Sequence, residues 1–168
     1  MAIFTKSEIL NLVKLGKLKI TPYNKSNVGP GSIDLTLSNK IREFKRVWET
    51  FDIKPDADYK KITNIKTIKK FHILRPKESV IAITKETITL PEDAAGWLYT
   101  RSRYARIGLM ATPSFVQPGS ANKPVIELFN AGNRPLALYP DTKVIQMILE
   151  TTVGEAKYKG KFKEQKKI

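Results

Sequence analysis

Residues 124–149, PVIELFNAGNRPLALYPDTKVIQMIL, contain three short apolar runs separated by turn-forming residues. The runs are Val125–Phe129, Leu136–Leu138 and Val144–Leu149, and their length and apolar character are typical of strands in a buried sheet. Between them, residues 131–133 and 139–141 supply the glycine, asparagine, proline and aspartate that favour tight turns. The segment therefore predicts successive β-strands.

The same pattern extends back to Ile33. It predicts further strands at Ser32–Leu37, Lys40–Phe44, Lys70–Leu74, Ser79–Thr84, Thr87–Leu90, Gly96–Tyr99 and Leu109–Thr112. Many short strands at this spacing favour an all-β barrel or sandwich. One helix is expected, because Thr5-Lys6-Ser7-Glu8 matches a capping box ahead of an apolar run that ends at Gly16. Val47–Lys69 is the least patterned region, and we expect a long excursion or a surface hairpin there.

Length and composition indicate one domain. A chain of 168 residues and 19.0 kDa lies below the size at which cores usually divide. We expect a single domain over residues 1–153 and a mobile tail over residues 154–168, which are rich in lysine. No apolar run is long enough to cross a membrane, and MAIFTKSEIL lacks the features of a signal peptide, so a cytoplasmic location is expected.

Cysteine and histidine counts exclude several kinds of chemistry. The chain has no cysteine, which excludes disulfides, thiol nucleophiles, zinc fingers and iron–sulfur clusters. His72 is the single histidine, so no multi-histidine metal site is possible. Catalysis would depend on carboxylates, lysine, arginine, hydroxyl groups or an oxygen-bound metal.

The net charge of +14 arises from 30 basic and 16 acidic residues. Such a charge attracts polyanions, whether nucleic acid, an anionic membrane surface or a nucleoside triphosphate. A solvated lysine-rich surface explains it equally well. The basic residues are dispersed and no recognised nucleic-acid-binding motif accompanies them, so neither nucleic acid nor a membrane is expected as a partner.

One segment suited to a triphosphate is Arg101–Arg106, which holds three arginines and a serine directly after an apolar run. Guanidinium groups suit phosphate oxygens because they are planar, bidentate and permanently charged. A surface or subunit-interface role explains the same cluster.

Two other segments add candidate chemistry. Glu127 interrupts an apolar strand, where burial would raise the pKa of its carboxyl group and suit it to general acid–base catalysis. The alternatives are that Glu127 faces outward or pairs with an arginine. The tail segment Tyr158–Gln165 combines lysines with aromatic residues and could close over a nucleotide as a lid, although such tails are commonly disordered.

Taken together, these segments resemble the dCTP deaminase branch of the dUTPase superfamily. The matching text is PGSIDLTL at 30–37, LPEDAAGWLYTRSRYARIGLM at 90–110, FVQPG at 115–119, VIELFNAGNRPLALYPDTKVIQ at 125–146 and KYKGKFKEQ at 157–165. The motifs occur in the family's order, and the resemblance covers nearly the whole chain except Val47–Lys69. The resemblance implies a mostly β fold, a distorted β-barrel or jelly roll of the dUTPase type, with a short N-terminal helix and a flexible C-terminal lid.

The resemblance also implies a homotrimer with active sites at subunit interfaces. The substrate would be a pyrimidine deoxynucleoside triphosphate bound with Mg²⁺, and no zinc would take part. The residues that match catalytic positions are Glu127, Ser102 and Arg106. The residues that match substrate-binding positions are Arg101, Ser102, Arg103, Tyr104, Ala105, Arg106, Gln117, Val125, Ile126, Glu127, Tyr158, Lys161 and Gln165.

Three departures from the family pattern bear on activity. Arg103 stands where the family has a small hydroxyl residue. The chain is two residues short between Met110 and Ala111, and a histidine typical of the deaminases is missing there. Gln117 replaces the aspartate that corresponds to the water-activating carboxylate of the dUTPases, and an amide cannot take a proton from water.

The expected function is therefore hydrolysis of the 4-amino group of dCTP to give dUTP and ammonia. The alternatives are a dUTP diphosphatase, which Gln117 disfavours, and a nucleotide-binding homologue without turnover.

Overall fold

A computed structural model describes residues 2–112 and 114–168 of the chain. The predicted helix is present as α1, Lys6–Lys14, with Ile9 fully buried and Gly16 beyond its end at φ +69°. The prediction of a capping box is wrong in one respect. Thr5 is the N-cap residue, but its hydroxyl bonds to the Ser7 hydroxyl at 2.9 Å and caps no backbone N–H.

The described residues form thirteen strands, which confirms a mostly β fold. They are β1 Lys19–Thr21, β2 Ile33–Phe44, β3 Thr63–Thr67, β4 His72–Leu74, β5 Ser79–Thr84, β6 Thr87–Thr89, β7 Ala94–Thr100, β8 Leu109–Ala111, β9 Ser114–Val116, β10 Ala121–Asn122, β11 Val125–Asn130, β12 Leu136–Leu138 and β13 Lys143–Thr151. A second helix, α2, covers Ser102–Ala105. Within this part of the chain, no helix is long and apolar enough to span a membrane.

The main sheet has eight strands and curls into a half-barrel. Its order is β8-β11-β5-β2-β13-β7-β9, with β3 added beside β2, and all pairs are antiparallel. Smaller sheets are formed by β1-β6-β10 and by β12-β4. The curl leaves β9 and β11 lining the same cavity, although four strands separate them in the strand order.

Several strand boundaries differ from those predicted. The predicted strands Ser32–Leu37 and Lys40–Phe44 are one continuous strand, β2, whose pairing with β5 is irregular between Leu37 and Ile41. The intervening residues are polar and break the apolar pattern, but the backbone continues. In Val47–Lys69, β3 pairs antiparallel with β2, so this region is a surface hairpin with a long loop. Sequence patterning missed β1, β3, β9, β10 and α2, which are short, and β3 is largely exposed.

The core lies between the sheet and α1, and alternation along each strand decides which side chains enter it. In β11, Ile126 and Leu128 are fully buried in the core, so Val125, Glu127 and Phe129 point to the opposite face. This alternation positions the candidate site.

We expect Ile41→Ala to lower the free energy of unfolding by about 2–5 kcal/mol, because it opens a cavity in the core at a fully buried position. Ile65→Ala, on the paired strand β3 but 59% exposed, is the matched control and should cost less than about 1 kcal/mol. Denaturant unfolding of both variants measures the difference. Equal losses would contradict the placement of these strands.

Candidate active site

Glu127 is held by backbone pairing on both sides of β11. It lies opposite Ile81 of β5, and its carbonyl oxygen accepts a hydrogen bond from Thr112 N–H at 3.0 Å. Because Ile126 and Leu128 fill the core, the Glu127 side chain is directed away from it. The outward orientation that the sequence left open is therefore present, but a second layer of chain covers that face.

That layer encloses a cavity of about 350 Å³, which we call the Glu127 cavity. Its volume is within the range of small-molecule sites in proteins. The lining combines sheet residues, the loop before β11 and the tail: Tyr59, Ile81, Leu98, Ser114, Phe115, Val116, Asn122, Lys123, Pro124, Val125, Glu127, Phe162 and Gln165. Three of the predicted site residues, Val125, Glu127 and Gln165, meet in this cavity.

Burial raises the pKa of the Glu127 carboxyl above its ordinary value, and a hydrogen bond from its own backbone N–H offsets part of this rise. Among residues 2–112 and 114–168, no cation lies within ion-pair distance of Glu127. The alternative in which an arginine of the same chain neutralises it is therefore excluded for the described residues. A carboxyl with a raised pKa returns a proton more readily than one at its ordinary pKa, which suits it to general acid–base catalysis.

The tail packs over the entrance to this cavity. Ala121 N–H and Lys123 N–H donate to the carbonyl oxygens of Lys163 and Gln165, at 3.1 and 2.8 Å. The side chain of Ile168 is buried against Ile81 and Ile83. The sequence predicts a mobile tail, and in this structure it is docked in the position of a lid.

The predicted tail residues differ in their placement. Gln165 lines the Glu127 cavity, but Tyr158 and Lys161 are not among its described lining residues. Tyr158 is half-buried and donates its backbone N–H to Pro118 O at 3.0 Å, which anchors the tail. Lys161 is exposed, with its ammonium 5.9 Å from the Phe162 ring.

The arginine cluster forms a second concavity, which we call the Arg101 cleft. Arg101 follows β7, and its Nε lies 3.1 Å from Asp34 Oδ1 while its Nη1 donates to Lys143 O at 3.2 Å. These two contacts hold the guanidinium in place. The cleft has a volume of about 330 Å³ and is lined by Gly29, Pro30, Ser32, Asp34, Arg101, Ser102, Arg103 and Gln146.

The remaining residues of the cluster lie on and after α2. Tyr104 borders a separate apolar pocket, and the Arg103 guanidinium lies 5.9 Å from its ring. Ala105 and Arg106 are exposed, and Arg106 N–H donates to Ser102 O at 3.0 Å. Ser102 and Arg106 are thus not beside Glu127 within one chain, and the Glu127 cavity and the Arg101 cleft share no lining residue.

Gln117 and Ile126 complete the predicted set. Gln117 is exposed at the start of a turn, where its carbonyl accepts from the Ser120 hydroxyl at 2.7 Å and Gly119 adopts φ +63°. The side chain of Ile126 is fully buried in the core, so only its backbone could face a ligand.

Among the lining residues that sequence reasoning missed, Asp34, Tyr59 and Phe162 are the ones whose chemistry bears on the site. Asp34 lies within the quoted PGSIDLTL motif, but no pattern showed that it pairs with Arg101. Tyr59 belongs to the unpatterned excursion, and Phe162 belongs to the tail. Each reaches its site through a contact between segments distant in sequence.

With no cysteine and a single histidine, a metal site in this chain would have to be built mainly from carboxylate oxygens. Among the described residues, no group of three histidine, cysteine or acidic side chains converges. Asp34 is the carboxylate that lines the Arg101 cleft, and Arg101 already neutralises it.

Comparison with solved structures shows the fold. The 2′-deoxycytidine 5′-triphosphate deaminase of Agrobacterium tumefaciens matches 89% of this chain and 48% of its own, with a TM-score of 0.68 and 18% identity. This chain therefore spans about half the length of that protein. The dUTPase of Staphylococcus bacteriophage 80alpha matches 87% of this chain and 97% of its own, with a TM-score of 0.55 and 10% identity.

Comparison of sequences identifies the family more specifically than comparison of structures does. A protein of Corynebacterium kroppenstedtii described as "dCTP deaminase, dUMP-forming" is 34% identical, covering 98% of this chain and 93% of its own. Proteins with the same description from Aquifex aeolicus and Methanothermobacter thermautotrophicus are 31% and 30% identical, covering 99% and 93% of this chain and 92% and 82% of their own.

The family model described as dCTP deaminase-like matches residues 3–152, which include β11 with Glu127, α2 with its arginines and the Asp34 strand. With the half-barrel fold and relatives that cover nearly its whole length, the chain belongs to the dCTP deaminase-like family.

Proposed function

We propose that the protein hydrolyses the 4-amino group of dCTP to release ammonia. The observation that carries this proposal is Glu127, a carboxyl with a raised pKa and no cationic partner among the described residues, inside a cavity of nucleotide-compatible size. The membership of the family and the descriptions of the relatives supply the substrate class.

Glu127 would transfer every proton in the reaction. Its carboxylate takes a proton from water, and the water oxygen bonds to C4 of the cytosine ring while the ring nitrogen N3 gains a proton. Glu127, deprotonated again once N3 has its proton, then takes the proton of the new C4 hydroxyl and passes it to the amino group. The C4–N bond breaks as the C4=O bond forms, and ammonia leaves. A single carboxyl can perform both transfers because its pKa is displaced toward the working pH.

The residues that stabilise charge would come from a second subunit. Within one chain the Glu127 cavity contains the base but no arginine, whereas the Arg101 cleft contains arginines but no unpaired carboxylate among its lining residues. Outward-facing apolar side chains are available for assembly: Tyr99, Met110, Phe115 and Phe129. We propose a homotrimer in which Ser102 and Arg106 of one subunit approach Glu127 of the next.

The triphosphate would bind to Arg101, Arg103 and the tail lysine Lys161. The Arg101 guanidinium is already oriented for this role, because it contacts Asp34 and Lys143 O. Mg²⁺ would bind mainly to the phosphate oxygens, because the described residues offer no cluster of acidic ligands. When bound, it would neutralise phosphate charge.

The nucleotide product has two candidates. The relatives' description names dUMP, which implies a second hydrolysis at the α-phosphate. Gln117 favours dUTP, because an amide stands where a water-activating carboxylate would be required. We propose dUTP as the main product and dUMP as the alternative.

Glu127→Gln should lower kcat for dCTP deamination by about two to four orders of magnitude, because the amide cannot act as a base. dCTP affinity should change little, since the amide has nearly the same shape. In the wild type, kcat should fall as the pH is lowered through the raised pKa of Glu127, because protonation removes the base. Ammonia release across a pH series measures both effects. Undiminished turnover by Glu127→Gln would exclude this mechanism.

Hybrid trimers test the shared site. Glu127→Gln and Arg106→Ala chains, co-expressed with different tags and purified through both, should recover about one third of the wild-type activity per trimer. The physical reason is that each mixed ring contains one interface at which both functional residues are intact. Each parent alone is the inactive control. Inactive hybrids would show that the site lies within one chain.

Chromatography of the products formed from dCTP and Mg²⁺ should show dUTP with little pyrophosphate. Gln117→Asp should increase pyrophosphate release, because it introduces a carboxylate able to activate water. Gln117→Asn is the matched control and should behave as the wild type. Abundant dUMP from the wild type would establish the alternative product.

A further inference from the structure

Tyr59 reaches the Glu127 cavity from a part of the chain outside the motifs quoted for the family resemblance. It opens a short 3₁₀ helix, Tyr59–Lys61, in the loop between β2 and β3. Its ring packs against Ile81 and Ile83 and forms part of the cavity wall.

A buried network fixes the Tyr59 ring in place. Arg42 is 5% exposed and its guanidinium lies 5.4 Å from the centre of the ring. Arg42 Nε donates to the Thr63 hydroxyl at 2.9 Å, and that hydroxyl donates to Tyr59 O at 2.8 Å. Both the ring and the backbone of Tyr59 are therefore held by residues of β2 and β3.

Arg42 lacks the partner that a buried arginine normally has. Within the part of the chain that the structure describes, no carboxylate lies within ion-pair distance of its guanidinium. Burying a charge is costly unless it is paired or hydrogen-bonded. The Tyr59 ring and the Thr63 hydroxyl supply its described contacts, so the buried guanidinium and the ring fix each other in place.

Strand register relates this network to the catalytic carboxyl. Arg42 lies opposite Ile81, and Ile81 lies opposite Glu127, so the three side chains share one face of the sheet. Two strand spacings, about 10 Å, separate Arg42 from Glu127. A ring held over Arg42 and packed on the cluster that contains Ile81 therefore lies over the same face of the sheet as the candidate base, and both line the Glu127 cavity.

We propose that Tyr59 is the residue on which the pyrimidine ring of the substrate stacks, with Arg42 as the positioning residue that holds it. This inference rests on the proposed function and names a base-binding residue of the same site. The two other aromatic residues of the cavity are accounted for by other contacts: Phe162 belongs to the tail, and the Phe115 ring packs on Trp97, with ring centroids 4.7 Å apart. Stacking on an immobile ring orients C4 toward Glu127 without any hydrogen bond to the base.

Binding measurements on two Tyr59 variants test the inference. Tyr59→Leu keeps an apolar contact with Ile81 but removes the aromatic face, and Tyr59→Phe keeps the ring. Both are made in the Glu127→Gln background, so that dCTP persists during calorimetry. Inorganic tripolyphosphate is the second probe, because it shares the phosphate chain and lacks the base. Tyr23→Leu, at an exposed tyrosine that does not line the cavity, is the matched control.

Tyr59→Leu should weaken dCTP binding about tenfold or more and leave tripolyphosphate binding unchanged. Tyr59→Phe and Tyr23→Leu should bind both probes as the parent does. In the active background, Tyr59→Leu should raise KM for dCTP more than it lowers kcat, because the stack binds the pyrimidine ring in the ground state and in the transition state alike. Thermal unfolding checks that each variant is folded.

Three results would overturn the inference. If Tyr59→Leu weakens dCTP and tripolyphosphate equally, Tyr59 only supports the docked tail. If it weakens neither, the ring does not contact the base. If the parent binds dCTP no more tightly than tripolyphosphate, no base-stacking site exists. Failure of the proposed function is a separate result, in which dCTP binds with the expected dependence on Tyr59 but wild-type protein releases no ammonia.

Discussion

The alternation of side chains along β11 is the constraint on which the rest of the site depends. Ile126 and Leu128 occupy the fully buried interior of the half-barrel, and a strand directs successive side chains to opposite faces. Glu127 is consequently excluded from the core. A slip of one residue in the pairing with β5 would bury the carboxyl and expose two large apolar side chains, so the energetics of the core also fix the position of the candidate base.

A second layer of chain covers that outward face and changes the environment of the Glu127 carboxyl. The excursion that carries Tyr59, the loop before β11 and the docked tail together remove water from around Glu127. Their effect is to raise the pKa of the carboxyl by burial, with no arginine or lysine close enough among the described residues to reverse it. This is notable in a chain with a net charge of +14, and it shows that local desolvation outweighs the overall field at this position.

Within the described part of the chain, the charged group of the Arg101 cleft, unlike Glu127, has a partner of opposite charge. There, the guanidinium is already neutralised and oriented by Asp34, with both side chains about one quarter exposed. An ion pair of this kind contributes order more than stability, because exposed charges are screened by solvent. One concavity therefore has a base in an apolar setting and the other has oriented cations, and a single chain keeps them apart. The proposed trimer rests on this separation of the base from the oriented cations.

The strand pattern, helix α1 with Gly16 at its end, and Glu127 as a candidate base were all accessible from sequence, because each depends on residues close together in the chain. The joining of two predicted strands into β2, the exposed strand β3 and the short strand β9 were not, because their formation depends on pairing with distant segments. The same reason applies to the site. Apolar periodicity identifies Glu127 as a carboxylate in an otherwise apolar strand. Only the tertiary structure decides that the tail and Tyr59, which Arg42 holds, cover this carboxylate. The pairing of Asp34 with Arg101 is likewise decided by the tertiary structure. These contacts join residues far apart in sequence, and such contacts leave no local periodic pattern.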